Sequence, residues 1–370
     1  MRRKTLIAMS GGVDSSVAAA LMLDQGFECV GVTLKLFDSG ELCAYPGQGA
    51  GVNRGCCSLA DVNDAREVAH RLGIPHYVFN FTDEFQEQVI RRFVETYERG
   101  GTPNPCIDCN RHIKFQRFLQ RARQLEFDAV VTGHYARVEA AGGRFLLKRA
   151  LDQRKDQSYV LYAMTQEQLA ASLFPLGGLT KTQAREIALD RGFINAEKRD
   201  SQDICFVPDG DYGRFIEAYR GAPAPAGDII DQRGAVLGRH RGLIRYTIGQ
   251  RRGLGIAASE PVYVSAKSVA DNTLTLGPDS SLYRRSLIAE DINLIALARI
   301  EKPLRVSVKT RYLQAAQPAV AEQTGPDTLR VDFEQPQRAI TPGQAAVLYD
   351  GDVVVGGGTI TAALEEGNGA

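Results

Sequence analysis

No stretch of this 370-residue sequence approaches the roughly 20 consecutive apolar residues that a membrane-spanning helix needs. The first residues do not read as a signal peptide either. Arg2, Arg3 and Lys4 are followed by an apolar run of only Leu6 to Met9, too short for the hydrophobic core of such a segment. A cytoplasmic location is therefore expected, with no membrane partner. Net charge is absent: 44 Lys and Arg balance 44 Asp and Glu, so any basic surface for an acidic partner must be local. Cysteine is sparse and odd in number, and seven thiols in a chain of this length exclude a disulfide scaffold. No repeat of roughly 20–50 residues is present, which excludes a solenoid or propeller.

The sequence does contain an ordinary globular mixture, 44% hydrophobic and 24% charged, long enough for two or three domains. Strand and helix patterns alternate through the first half. "KTLIAMS", "ECVGVTLKLF", "HYVFNF" and "DAVVTGH" read as strands. "VDSSVAAALMLDQG", "LADVNDAREVAHRLG" and "DEFQEQVIRRFVETYERG" read as helices. Such alternation predicts a parallel sheet with helices on both faces and a ligand at the carboxyl ends of the strands. A long polar insert, "DSGELCAYPGQGAGVNRGCC", interrupts the second crossover. After about Cys205 the pattern turns to short alternating runs such as "PVYVSAKS", "NTLTLG", "LRVSVKTRY" and "TLRVDFE". That region reads as all-β, two small units of which the last is a barrel.

The segment "SGGVDSSV", Ser10 to Val17, lies between the first strand and the first helix. Gly11 and Gly12 allow a tight turn and a close backbone approach. Ser10, Ser15 and Ser16 add hydroxyl donors, and a helix N-terminus favours an anion. The pattern suits a phosphate or pyrophosphate, with Asp14 able to hold a metal ion on it. The lysine of G-x-x-x-x-G-K-[ST] is missing, so this is not the common NTPase loop. Read blandly, it is a Gly-rich turn with Ser and Asp helix caps.

A second segment, "TPNPCIDCNRHIKF", sets Cys106 and Cys109 three positions apart. The spacing alone fits half of a metal site or a place of sulfur chemistry. No second C-x-x-C exists to complete a four-cysteine zinc site.

S-G-G-x-D-S-S resembles the pyrophosphatase loop of the ATP-pyrophosphatase (PP-loop) superfamily, whose members cleave ATP to AMP and pyrophosphate. "GTPNPCIDCNRHIKF", "TGHYARV", "KDQSYVLY", "DSQDICFV", "YTIGQRRGLGI", "VKTRY" and "TPGQAAVLY" follow in that order. Together they resemble the tRNA-specific 2-thiouridylase family, MnmA type, from the first strand to about Ile360. The resemblance implies three domains. Residues 1–206 would form a parallel-sheet, adenine nucleotide alpha hydrolase-like domain, 207–282 a small central β-rich tRNA-binding domain, and 283–370 a C-terminal β-barrel. It implies ATP with Mg²⁺, a tRNA substrate thiolated at C2 of its wobble uridine, and a persulfide sulfur-donor protein.

By the same match, Ala8, Met9, Ser10, Gly11, Gly12, Val13, Asp14, Ser15, Leu34 and Gly133 would line the ATP site. Leu34 stands where the family commonly has Met, a tolerable apolar exchange. Cys109 matches the nucleophile and Cys205 the persulfide carrier. Asn104, Pro105 and Cys106 match the segment that meets the target base. His134, Lys155, Asp156, Gln157, Arg311, Tyr312 and Gln344 match tRNA contacts. One position departs from the pattern: Cys106 replaces the Asp of Asn-Pro-Asp-x-x-Cys. Its thiol would allow Cys106, Cys109 and Cys205 to act as three iron–sulfur ligands instead of a persulfide pair with a bystander. Competing readings are an amide-forming synthetase of the same superfamily and a non-enzymatic tRNA-binding module with a structural metal.

Other residues invite plainer readings. Cys29 belongs to a strand and to the core. Cys56 and Cys57 read as ordinary thiols at a helix start. His70 and His76 read as structural, and His112 as a helix-surface residue no less than a catalytic one. Arg239 to Arg252 holds five Arg and no acid, a local excess suited to phosphates or to a solvated face.

Overall fold

The computed structural model describes residues 3–37, 59–198, 204–207 and 209–364. Cys43, Cys56, Cys57 and the rest of the polar insert lie outside the described residues. The chain forms two compact units. One comprises Met1–Ile90, Pro105–Gly210 and Asp352–Val354, the other Arg91–Asn104, Asp211–Gly351 and Val355–Ala370.

The first unit is built on β1 (Lys4–Ala8), β2 (Glu28–Lys35), β3 (His76–Asn80) and β4 (Ala129–Val131). An antiparallel hairpin, β5 (Ala136–Ala141) and β6 (Arg144–Arg149), and a short β7 (Ser172–Leu173) follow. The sheet order is β3-β2-β1-β4-β7, and all its pairings are parallel. Leu6 pairs with Val30 on one side and Val130 on the other. Helix α1 (Val13–Asp24) covers the sheet through Val17, Ala18, Ala19, Ala20 and Met22, all buried. Three consecutive alanines let that helix lie close to the strands, and its burial nearly all round explains its weak amphipathic pattern.

The chain leaves β1 toward β2 and β3 on one side, while β4 flanks β1 on the other. The crevice beyond the carboxyl ends of β1 and β4 is thus the switch point at which open α/β sheets bind ligands. Both Gly-rich segments, Ser10–Gly12 and Thr132–His134, emerge there.

The second unit carries a four-stranded sheet and a closed barrel. The sheet comprises β8 (Gly227–Ile230), β9 (Val236–His240), β10 (Tyr263–Ser268) and β11 (Thr273–Gly277), in the order β10-β11-β8-β9 around Ile229, Val264 and Leu274. Six longer strands follow: β12 (Tyr283–Leu294), β13 (Leu304–Lys309), β14 (Gln317–Gly325), β15 (Thr328–Arg338), β16 (Ala345–Asp350) and β17 (Val353–Leu364). They run β12-β15-β14-β13-β16-β17, and β17 pairs back onto β12. Alternate residues such as Val306, Val308, Leu329, Val331 and Phe333 fill the interior, as a small barrel requires.

The sequence pattern from Cys205 onward reads as all-β, but the structure inserts a helix, Tyr212–Arg220. Asp211 caps it by accepting from the Arg214 amide at 2.9 Å, and Gly221 ends it at φ +69°. Phe215 and Ile216 bury its inner face, and Phe93 meets Phe215 edge-on at 6.2 Å.

Candidate active site

The turn after β1 is shaped by contacts that only glycine permits. Gly11 adopts φ +71°, and a Cβ there would lie 2.2 Å from the Asp61 carbonyl oxygen. Ser15 Oγ and Ser16 Oγ each donate to the Gly12 carbonyl at 3.0 Å, and Ser15 Oγ accepts from the Ser10 amide at 3.2 Å. Gly133, just past β4, packs on the same turn. A Cβ at Gly133 would stand 2.7 Å from the Ser15 amide nitrogen. Ala8, Met9, Val13 and Leu34 form the apolar floor, with Met9, Val13 and Leu34 buried. All ten residues matched to the ATP site therefore lie at or near the carboxyl edge of the sheet. Their order is Gly-rich turn, helix N-terminus and a second glycine, an arrangement that presents backbone N–H groups to an anion.

Asp14 sits in the first turn of α1 and is not bare. Lys181 Nζ lies 2.8 Å from both of its carboxylate oxygens, and the Tyr135 hydroxyl donates to Oδ1 at 2.8 Å. Lys181 is the first residue of the helix Lys181–Asp190, which Thr180 and Gln183 start with a reciprocal capping box. A cation at a helix N-terminus is disfavoured by the helix dipole, and here Asp14 offsets that cost.

Lys198 closes the outer side of the turn. Its ammonium meets Asp61 Oδ1 and Asp64 Oδ2 at 2.6 Å and donates to the Gly11 carbonyl at 3.1 Å. Burial pulls the Lys198 pKa down, but the hydrogen bonds and charges of Asp61 and Asp64 outweigh burial and hold it above its ordinary value.

The cysteines lie on the same unit. Pro105 opens a helical turn, Pro105–Asp108, and Cys109 begins the wider π-helical stretch Cys109–Arg117. Cys106 is exposed, Cys109 buried and Cys205 half-buried. The next residue, Asn110, is buried and donates Nδ2 to the Val160 carbonyl at 3.1 Å, fixing the start of that stretch. The turn holding Cys205 is anchored by Phe206 and Val207. Both are fully buried, and Phe206 meets Phe85 edge-on at 5.7 Å.

His134 is buried, its Nδ1 2.7 Å from Thr132 Oγ1, and it packs between Phe115 and Phe174. Burial, then the charge of Lys114, holds its pKa well below the ordinary histidine value, so the ring is neutral near pH 7. Asp156 is buried and turns the loop by accepting from the Ala150 amide and the Ser158 hydroxyl, at 3.1 and 2.8 Å. Gln157 Oε1 accepts from the Tyr135 amide at 2.9 Å.

In the second unit, Gln344 Nε2 donates to the Thr102 carbonyl at 2.8 Å, and the Thr102 amide donates to the Pro342 carbonyl at 2.8 Å. Arg311 Nη2 donates to the Ala339 carbonyl and Thr341 Oγ1 at 2.7 and 3.0 Å, bracing that turn. The segment leading to Asn104 is thus held by residues matched at the sequence level to tRNA contacts. Tyr312 takes the Lys309 ammonium over its ring at 5.7 Å. Among the five arginines of the basic stretch, Arg245 is bound to Glu217 at 2.5 Å and so is already engaged, whereas Arg241, Arg251 and Arg252 are exposed.

Residues 3–209 match the tRNA methyl transferase HUP domain model, 213–278 the PRC-barrel domain model of that name, and 284–360 the aminomethyltransferase beta-barrel domain model. A tRNA-specific 2-thiouridylase MnmA of Clostridioides difficile (strain 630) is 47% identical over 98% of this chain and 99% of its own length. The protein of that name from Symbiobacterium thermophilum is 50% identical, over 98% of this chain and 93% of its own.

The chain belongs to the tRNA-specific 2-thiouridylase family. Among solved structures, the NMN synthetase of Francisella tularensis is 16% identical with a TM-score of 0.33, covering 60% of this chain and 79% of that one.

A thiouridylase that cleaves ATP is expected to use a divalent cation, and the residues present fit one only in part. Asp14 stands in the first turn of α1 beside the Gly-rich turn, and a cation there would compete with Lys181 for it. Among the described residues, no three His, Cys, Asp or Glu side chains gather as a ligand set. A magnesium ion would therefore be held chiefly by substrate phosphates and water, with Asp14 assisting. The same observation bears on the iron–sulfur reading. Among the described residues, Cys106, Cys109 and Cys205 are not gathered as a ligand set.

Sequence reading missed Lys181, Lys198, Asn195 and Tyr135. One signal was present for Lys181: "LTKTQ" is a capping-box start with a lysine at the dipole-disfavoured position, which asks for an acidic partner. Nothing local marks Lys198 or Asn195, whose partners lie more than 130 residues away.

Proposed function

We propose that this chain is an ATP-dependent tRNA sulfurtransferase that converts the wobble uridine to 2-thiouridine. The observation that carries this reading is near-50% identity to 2-thiouridylases over 98% of the chain. ATP binds at the turn Ser10–Ser15, floored by Leu34 and backed by Gly133. Mg²⁺ neutralises phosphate charge when bound. The uridine enters unstacked, as chemistry on a base requires.

Its C2 oxygen attacks the α-phosphorus, pyrophosphate leaves, and the base is adenylated. Lys181 balances the charge of Asp14 beside the departing pyrophosphate. A sulfur-donor protein loads Cys205 with sulfane sulfur, and that sulfur forms the bond to C2 as AMP leaves. Cys109 then attacks Cys205, breaking the sulfur–sulfur bond and leaving a Cys109–Cys205 disulfide that an external thiol reduces. In the variant route, Cys109 attacks first and the freed sulfide adds to C2. Both routes run through thiols alone, with Cys106 shaping the base pocket. Cys109 is buried, which keeps its thiol from bulk solvent. Lys155, Arg311, Tyr312, Gln344 and the exposed Arg251 and Arg252 meet tRNA or hold the loops that do. Since its substrates are tRNA and ATP, the cytoplasm is its place of action.

The testing experiment supplies tRNA transcript, ATP and a persulfide donor, then measures pyrophosphate and 2-thiouridine together. One pyrophosphate per thiolated base supports the reading, and tRNA-independent ATP cleavage with no thiolated base contradicts it.

A further inference from the structure

The turn between β1 and α1 contains a Gly-Gly dipeptide, the sequence most prone to peptide flipping, because neither residue carries a Cβ to restrict φ. A flip of the Gly11–Gly12 peptide would turn a carbonyl oxygen toward bound phosphates in place of an N–H. Two side chains oppose it. Asn195 Nδ2 donates to the Gly11 carbonyl at 3.0 Å, and Lys198 Nζ does so at 3.1 Å. The described chain has no cis peptide bonds. In a planar trans peptide, the Gly12 N–H points opposite to the Gly11 carbonyl. Holding the carbonyl toward Asn195 and Lys198 therefore holds the Gly12 N–H away from them, on the other side of the turn.

Neither donor is loosely placed. Asn195 is 3% exposed, and its Nδ2 also donates to Ser16 Oγ at 2.9 Å, which fixes the amide end facing the turn. Its Oδ1 is buried and takes no hydrogen bond among the described residues. Leaving that acceptor unsatisfied costs stability, a cost set against the two hydrogen bonds that the donor end makes at the turn. Lys198 is tethered by Asp61 and Asp64 at 2.6 Å. Gly11 also lies against the Asp61 backbone, so turn, helix Leu59–Arg71 and Lys198 form one braced assembly.

We propose that Asn195 and Lys198 are positioning residues for ATP, locking the Gly11–Gly12 peptide with its N–H toward the nucleotide phosphates. They act through the peptide and do not touch the nucleotide themselves. The proposal rests on the reading of this turn as the ATP site.

The test uses the full chain and its Asn195→Ala, Lys198→Ala, Lys198→Arg and Asn195→Ala/Lys198→Ala variants. It measures Mg-ATP affinity, tRNA affinity, melting temperature and the KM for ATP in tRNA-dependent pyrophosphate release. Asn195→Ala and Lys198→Ala should each raise KM and Kd for ATP roughly tenfold, less than the roughly 10²-fold of deleting a charge-stabilising donor itself. The double variant should fall short of the product of the two, because both hold one carbonyl. Lys198→Arg should keep most of the affinity, and tRNA affinity should stay within about twofold in all variants. Wild-type ATP affinity in Asn195→Ala overturns the proposal. So does a parallel loss of ATP affinity, tRNA affinity and melting temperature in Asn195→Ala, the mark of a merely structural residue. If Lys198→Ala does not fold, Asn195→Ala and Lys198→Arg decide alone. Failure of the wild-type chain to bind ATP overturns the reading of the turn and this proposal with it, an outcome distinct from equal binding by wild type and variants.

Discussion

Lys181 and Asp14 form a two-point ion pair, with Nζ 2.8 Å from each carboxylate oxygen, although 167 residues separate them in the chain. The Lys181 side chain is 12% exposed and that of Asp14 32%, so the pair is screened less than a surface contact. It stands at the sheet edge where pyrophosphate would depart. Asp14→Ala should abolish pyrophosphate release, and Lys181→Met should slow it by roughly 10²-fold, the usual scale for positioned charge stabilisation. Both should leave tRNA affinity near normal in a filter-binding assay. Wild-type release rates in either variant would remove the pair from the chemistry.

The cysteines separate by function. Cys109→Ser and Cys205→Ser should be inactive with a persulfide donor supplied, because serine cannot carry sulfane sulfur and is a far poorer nucleophile near neutral pH. Cys106 is exposed, and Cys106→Ser should retain substantial thiolation. Thiolation seen only after iron reconstitution, and lost equally in all three variants, would restore the cluster reading and contradict the relay.

Arg251 and Arg252 are exposed, whereas Arg245 is spent on Glu217. Replacing Arg251 and Arg252 by Ala should weaken tRNA binding and lower the slope of log affinity against log salt by roughly 0.7–0.9 for each phosphate that is no longer neutralised. Arg245→Ala should instead lower the melting temperature, because the half-buried Glu217 would lose its cationic partner. Equal salt slopes in wild type and the Arg251/Arg252 double variant would return this stretch to a solvated face.

His134 makes stability fall on acidification. Its folded pKa lies well below the ordinary value of about 6.5, so below that pH the unfolded chain takes up a proton that the folded chain refuses. The loss begins near pH 6.5 and continues down to the folded pKa, at no more than about 1.4 kcal/mol per pH unit. Urea midpoints at pH 7.5 and 5.5 should therefore differ more for the wild type than for His134→Gln. Identical differences would show that His134 is free to ionise in the folded chain.

Much of this architecture was legible in the sequence for physical reasons. The first-half strands and helices alternate as runs of recognisable composition, α1 by its apolar run more than by a period, and Ser10–Ser15 is marked by glycines between a strand and a helix. The helix Tyr212–Arg220 was not read, because its apolar face spans only nine residues between turn-rich segments and precedes a long series of strands. Asp211 and Gly221, its cap and stop, were visible signals left unused. The hairpin β5–β6 was missed for a similar reason: "ARVEAAGGRFLLKR" pairs two short strands about Gly142 and Gly143 within a run read for parallel strands. The loop residues proposed for the site stand out by local pattern. Lys181, Lys198 and Asn195 were not, because their roles come from partners distant in sequence, which only the folded sheet edge brings together. Asp156, Arg311 and Gln344 show the reverse. Motif matching singled them out as tRNA contacts, and the structure adds that each holds a loop in shape.

The central claim is that one chain couples ATP cleavage to sulfur delivery on tRNA. Its most direct test is a single-turnover reaction with α-³²P-labelled ATP, tRNA transcript and persulfide-loaded protein, following AMP, the adenylated base and 2-thiouridine in time. The account predicts that Cys205→Ser accumulates adenylated tRNA with pyrophosphate released and no 2-thiouridine, while the wild type converts it to 2-thiouridine and AMP. A wild-type protein that forms 2-thiouridine with ATP omitted, or a Cys205→Ser protein that thiolates at the wild-type rate, would contradict it.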